Sequence, residues 1–245
     1  MKQTLFAILM LFGIFQLTGQ SLTGTNGLFK VPSAYVHPDG NSYVGVSLYP
    51  KGYYGTFSGV YSARANDAMP SFVTLSLYDR VEFMFRYTHV LGIKISPKTQ
   101  YFPDRMFTLR FNAFKEGKNH PALTIGLHDV SEALGGTTAN PYFLATYLVM
   151  SKSIEANNFT FTPTLGYSQD IFEESRQMVF DGLFGGIEVS SSKIPYLTLV
   201  GEYDSDTFNV ALKATALGHL HFAVGLIDMQ ALSGFLTYRF NLSNR

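Results

Sequence analysis

Segment after segment of this chain alternates apolar and polar side chains with period two, about 8–12 residues at a time, between turn-forming residues. The C-terminal stretch is the clearest case. Leu232, Gly234, Leu236, Tyr238, Phe240 and Leu242 share one face, and Ser233, Phe235, Thr237, Arg239 and Asn241 the other. The same alternation runs through Val81 to His89, Met106 to Phe114, Asn158 to Tyr167, Phe208 to Thr215 and His219 to Ile227. Weaker versions occupy Asn41 to Tyr49, Tyr53 to Tyr61, Ser71 to Leu77, Ala122 to His128, Tyr142 to Ser151, Met178 to Val189 and Tyr196 to Tyr203. After Gly19 no run approaches the ~20 apolar residues of a membrane-spanning helix, so a helical membrane protein is excluded.

So many alternating strands fit either a water-soluble sandwich, apolar face inward, or a membrane barrel, apolar face outward. Charge decides between them. Only 15% of residues are charged, against roughly a quarter in an ordinary soluble domain, and the polar faces carry mostly Thr, Ser, Gly and Asn. Such faces suit a wet lumen better than an outer surface. Tyr49, Tyr87, Tyr167, Tyr203, Tyr238 and Phe240 near strand ends match an interfacial aromatic girdle. The predicted fold is all-β, a single transmembrane antiparallel β-barrel of about 12 strands in a bacterial outer membrane, with lipid as its surroundings. Zero net charge argues against nucleic-acid partners, and the absence of Cys removes thiolate chemistry and lipid-modified cysteine.

Ahead of the strands, Lys2 precedes an apolar run from Leu5 to Phe15, the length of a secretory h-region and too short to cross a bilayer. Cleavage after Gly19 divides the chain into a signal peptide, residues 1–19, and a barrel, residues 20–245.

Three blocks point to a family. They are Gly27-Leu28-Phe29-Lys30-Val31-Pro32-Ser33-Ala34 with Pro38-Asp39-Gly40; then Pro121 to Asp129, Gly135-Gly136-Thr137 and Tyr147 to Lys152; and last Gly201 to Asn209. In this order they resemble the YjbH-like exopolysaccharide biosynthesis family. The resemblance implies an outer-membrane barrel serving production or export of extracellular polysaccharide, with polysaccharide and periplasmic export components as partners. It implies no known reaction and no cofactor.

Seven charged residues fall on the polar phase of their strands and are expected to face the lumen: Glu82, Arg86, Arg110, Glu188, Glu202, Lys213 and Arg239. Mixed signs predict pairing across the lumen, either as ion pairs filling a narrow barrel or as a sugar-binding track. His219 and His221 share a strand face as a metal pair would, but no spacing supplies a third ligand. Ser151 and His128 lack the fixed spacing of a hydrolase. A non-catalytic accessory barrel without metal or cofactor is the expectation, with a structural or small-solute pore as the alternative.

Overall fold

The computed structural model describes residues 19–54, 66–92, 104–130, 144–169 and 181–242. Within them the alternating segments form thirteen strands: β1 (Asn41–Leu48), β2 (Ala68–Leu77), β3 (Val81–Val90), β4 (Asp104–Phe114), β5 (Ala122–His128), β6 (Ala145–Ser151), β7 (Ile154–Ala156), β8 (Phe159–Gln169), β9 (Gly182–Ser191), β10 (Ile194–Tyr203), β11 (Phe208–Ala216), β12 (Leu220–Ile227) and β13 (Ala231–Asn241). Each strand pairs antiparallel with its sequence neighbour, except that β6 pairs with β8 while β7 adds a short hairpin to the start of β8. Pairing of β1 with β13, from Asn41↔Asn241 to Leu48↔Gly234, closes the ring. The result is a closed antiparallel barrel of twelve strands, without a free sheet edge.

The alternation sets which way each side chain faces. Leu165, Leu183, Leu199, Leu232 and Leu236 are each at least half exposed, on the phase opposite buried Thr164, Phe184, Thr198, Ser233 and Thr237. The barrel is therefore apolar outside and largely polar inside, the inverse of a water-soluble core. Tyr49 departs from the expected girdle. It continues the alternation of β1 one residue past Leu48, which turns it inward, and it is buried against Tyr54 with ring centroids 5.4 Å apart.

Two glycines in the wall make room for aromatic rings. A side chain at Gly126 on β5 would collide with the Tyr147 ring of β6, and one at Gly166 on β8 with the Phe184 ring of β9. Both glycines serve packing within the wall. Turns between strands are tight where Asp79, Ser205 and Leu217 take positive φ, at 52°, 74° and 53°.

The two ends of the barrel differ. Both β1 and β13 present their outer termini at one end, here the terminal end, where the turns at 78–80, 192–193 and 217–219 are short. The strand ends at Leu48, Ala68, Val90, Asp104, His128, Ala145, Gln169 and Gly182 lie at the opposite end, and longer stretches of sequence separate them. Residues 55–61 of the strand expected from Tyr53 to Tyr61, the Gly135-to-Thr137 stretch and all of the expected signal peptide before Gly19 lie outside the described residues.

Candidate functional site

The lumen is filled by the chain itself. Residues 20–34 lie inside the barrel, all of them buried except Lys30, and β1 begins only at Asn41. This plug folds back on itself through short-range bonds, Ser21 N–H to Thr25 O (2.8 Å), Leu22 N–H to Phe29 O (2.7 Å) and Leu28 N–H to Val31 O (2.9 Å). At its turn Gly24 takes φ +92° with the Phe72 ring packed against it, so a side chain there is excluded both by backbone conformation and by space. Leu22, Leu28, Phe29 and Val31 pack in one cluster with the inward-facing apolar residues of the wall, among them Phe72, Met84, Met106 and Phe235. Burying a side chain of this size stabilises the docked plug by about 1.5–3 kcal/mol.

Polar wall residues hold the plug backbone. Glu202 on β10 accepts from three successive N–H groups, Phe29 and Val31 at Oε2 (2.9 and 3.3 Å) and Lys30 at Oε1 (2.8 Å). Consecutive N–H groups around one carboxylate form an anion nest, here turned to an internal acid. Asn209 adds an N–H to the same Oε1 at 3.0 Å. Across the barrel, the Arg110 guanidinium on β4 donates to the carbonyls of Asn26 (3.0 Å), Ser33 and Tyr35 (3.2 Å) and to Glu82 Oε1 at 2.6 Å. Glu82 Oε1 also accepts from Asn26 N–H at 3.0 Å, so acid and base clamp the same plug residue. Lys213 on β11 donates to Gly27 O at 2.6 Å and to Glu188 at 2.8 Å. Thr74 and Ser47 donate to the Gly24 and Leu22 carbonyls. Ala34 is held by Asn112, Thr124 and Ser151.

The seven charged residues thus have different surroundings. Glu82, Arg110, Glu202 and Lys213 bond the plug directly, and Glu188 supports Lys213. Arg86 is fully buried beside the Met106 sulfur (3.3 Å) and 5.9 Å from the Tyr54 ring centroid. Arg239 is half-buried at the terminal end, where it donates to Gly218 O at 2.6 Å. The two ion pairs found among these seven residues lie along the wall. Glu82 and Arg110 are direct neighbours on β3 and β4, and Glu188 and Lys213 are separated only by β10. Ion pairs run along the wall because the middle is occupied by chain.

Sequence reasoning missed the plug and with it Asn26, Lys30 and His37. The available signal was negative: between Gln20 and Pro38 there is no period-two pattern, yet Leu22, Leu28, Phe29 and Val31 are too apolar for a solvated leader. The three family-like blocks, distant in sequence, meet here. The first is the plug's own tip and exit, the second supplies Thr124 and Ser151, and the third supplies Glu202, Asp204 and Asn209.

Lys30, the one residue of the plug that is not fully buried, makes an ion pair with Asp204, in the turn that follows β10. Burial raises the pKa of this carboxyl, but the Lys30 ammonium, the Thr207 N–H and the Asn209 amide outweigh it and hold the pKa below the usual 3.8. A folded-state pKa below the unfolded one stabilises above the unfolded value and is lost as pH falls through the folded one. The plug's outer anchor is therefore expected to loosen only below about pH 4. Asp204→Asn should flatten the acid limb of a pH–stability curve in that range, leaving neutral pH with a smaller, pH-independent loss. An acid limb unchanged by the substitution would show that Lys30 and Asp204 do not govern it.

The two side-chain pairs that the sequence raised for metal binding and hydrolysis are separated in the fold. His219 is exposed in the turn after β11, whereas His221 points inward and bonds Thr215 at 3.0 Å. Among the described residues no three His, Asp or Glu side chains gather as a metal site. Register pairs Ser151 with Ala122 and His128 with Ala145, at opposite ends of the β5–β6 ladder and roughly 20 Å apart at the strand rise. Ser151 Oγ meanwhile accepts from Ala34 N–H at 2.9 Å and shares a bond with Thr164 at 2.8 Å.

A search of curated proteins finds no match. The family model described as exopolysaccharide biosynthesis protein YbjH matches residues 19–228, from the first described residue of the plug through eleven of the twelve barrel strands. By its closed barrel, its plug-forming blocks and this match over most of its length, the chain belongs to the YjbH exopolysaccharide biosynthesis family.

Proposed function

We propose that the protein is a non-catalytic accessory barrel of the bacterial outer membrane that serves production or export of extracellular polysaccharide, with its lumen closed by its own plug in the state described. Family membership supplies the polysaccharide. The observation that carries the rest is the pairing of an apolar outer face with a polar lumen whose charged residues bind the plug. An outer face of this kind is stable against hydrocarbon and prone to aggregate in water. The short turns at 78–80, 192–193 and 217–219 resemble the periplasmic side of such barrels, which supports an orientation with the opposite end facing out of the cell. Periplasmic export components would then meet the terminal end, and nucleic acid has no part.

Because Glu82, Arg110, Glu202 and Lys213 are engaged with the plug, they form no free sugar track in this state. Glycan would meet the barrel at its ends, or after the plug moves. A plug held largely by hydrogen bonds can be released and re-docked, which keeps a small-solute pore as the second reading. Polymer measured separately in the medium and the periplasm, in cells with and without the protein, tests the first. Loss outside with accumulation in the periplasm is the expected result. Unchanged polymer in both fractions would remove the polysaccharide role and leave the pore.

A further inference from the structure

The outward, apolar phase of the wall has one exception. Along the described barrel strands, Arg105 at the start of β4 is the one ionised side chain on that phase. It is exposed, and no described residue bonds its guanidinium. A cation on the lipid face is costly at the bilayer midplane and nearly free at its interfaces, so a strand end, at the level of lipid headgroups, is where one is tolerated. Its cross-strand partner on β3 is Tyr87. His89, exposed on the same face, meets the Tyr87 ring edge-on with centroids 4.9 Å apart. Arg105 and His89 are diagonal neighbours across the two strands, about 7–8 Å apart by backbone, so both can reach one anion between them.

From Tyr87 the surface drops into a groove of about 500 Å³ in the lipid-facing wall. Its floor includes Val46 of β1 and Val73 of β2, and its ridges are Phe85 with Tyr87 on β3 and Leu236 with Tyr238 on β13. Short branched side chains between long ones make the trough. The ridges stand three strand spacings apart, about 14 Å, which leaves room for hydrocarbon chains laid over the valines. Barrel strands lean against the axis, so the groove passes from Tyr87, beside the level of Arg105, towards Tyr238, three residues from the Asn241 end of β13.

An occupant must bring an anion to Arg105 and hydrocarbon to the groove on one molecule. A lipid with a phosphate headgroup does both, its phosphate oxygens accepting paired N–H bonds from the guanidinium and its acyl chains covering the valines. A second copy of the chain fits poorly, because a two-fold contact centred here sets trough against trough and brings both Arg105 side chains to the same level. With the end that carries Arg105 facing out of the cell, the lipid belongs to the outer leaflet. There a bacterial outer membrane carries lipid A, a phosphorylated and multiply acylated glucosamine disaccharide.

We propose that Arg105, His89 and this groove form a binding site for lipid A, with one phosphate held between Arg105 and His89 and acyl chains lying in the trough. The inference rests on the proposed outer-membrane placement and orientation and goes beyond the polysaccharide role. The test is native mass spectrometry of the full-length protein in detergent, offered bisphosphorylated lipid A, the same lipid stripped of phosphate, and phosphatidylglycerol. Bisphosphorylated lipid A is expected to be retained about tenfold more than either of the others, the scale of hydrogen bonds to a charged group. Retention should fall by a similar factor in Arg105→Ala and in the groove-filling pair Val46→Phe with Val73→Phe, and stay unchanged in Leu199→Phe on the outer face of β10. A heat-induced mobility shift on gels checks that each variant folds. Equal retention by either folded variant, by phosphate-free lipid A or by phosphatidylglycerol would overturn the site. So would a lipid-free dimer that the groove-filling pair makes monomeric, since a second copy would then cover the groove. Orientation is read separately, because the chain has no Cys of its own. In intact cells an impermeant maleimide should label Lys51→Cys at the opposite end and spare Lys115→Cys at the terminal end. The reverse pattern would overturn the orientation and lipid A together, whereas the expected labelling without selective binding removes the site alone.

Discussion

Replacing Arg110 with methionine is expected to destabilise the barrel by about 3–5 kcal/mol, the range for breaking a buried ion pair from one side. The guanidinium is fully buried and serves the Asn26, Ser33 and Tyr35 carbonyls and Glu82 at once, so its loss strands a buried carboxylate whose remaining neighbours are the Asn26 N–H at 3.0 Å and His37 at 4.0 Å. For a chain of this size the unfolding midpoint should fall on the order of 10 °C. Midpoints of the heat-induced gel shift in detergent would measure it. Adding Glu82→Leu to Arg110→Met removes the stranded charge, and the double variant should recover part of the loss. A double variant as unstable as the sum of the two single ones would show that the pair is not coupled, and that Arg110 acts only through the plug carbonyls.

The second large effect concerns conduction. In planar bilayers the intact protein is expected to pass little ionic current, because the plug and its apolar cluster occupy the lumen. A variant whose residues 22–33 are replaced by a Gly/Ser chain of equal length should conduct in discrete steps, with at least a tenfold larger current at the same voltage, an order-of-magnitude expectation for exchanging packed chain for water in a lumen intermediate between filled 8-stranded and open 16-stranded barrels. Lys30→Ala with Glu202→Gln weakens the same plug without shortening it and should give intermittent openings. Equal currents from the intact protein and the Gly/Ser variant would mean that the plug does not occlude the path.

Much of the wall was legible from residue pattern because period two is enforced twice, once by the outer apolar band and once by the polar interior. Val81 to His89 and Phe208 to Thr215 fall within a residue of the observed β3 and β11. Segment β7 escaped because three exposed residues, Ile154 to Ala156, carry no alternation to detect. Phase also indicates which side of a strand Glu202 or Arg110 occupies, but not what waits there. The plug is held by backbone groups, which are the same at every residue, so Gly27 O or Phe29 N–H has no signature in side-chain composition.

The seal between β1 and β13 has a consequence for the order of events at birth. The plug precedes every strand in the chain, yet Gly27 is bonded to Lys213, 186 positions later, and Phe29 to Glu202, 173 positions later. None of these bonds can form until the sheet has curled around the segment, and the ring is completed only by the last strand to be made. The first residues must therefore wait, apolar and unpaired, while the container is assembled about them. Contacts of such sequence separation make for slow closure. The two border strands β1 and β13 must therefore stay apart until the N-terminal segment is inside, since a ring that shut early would leave that segment stranded beyond the wall.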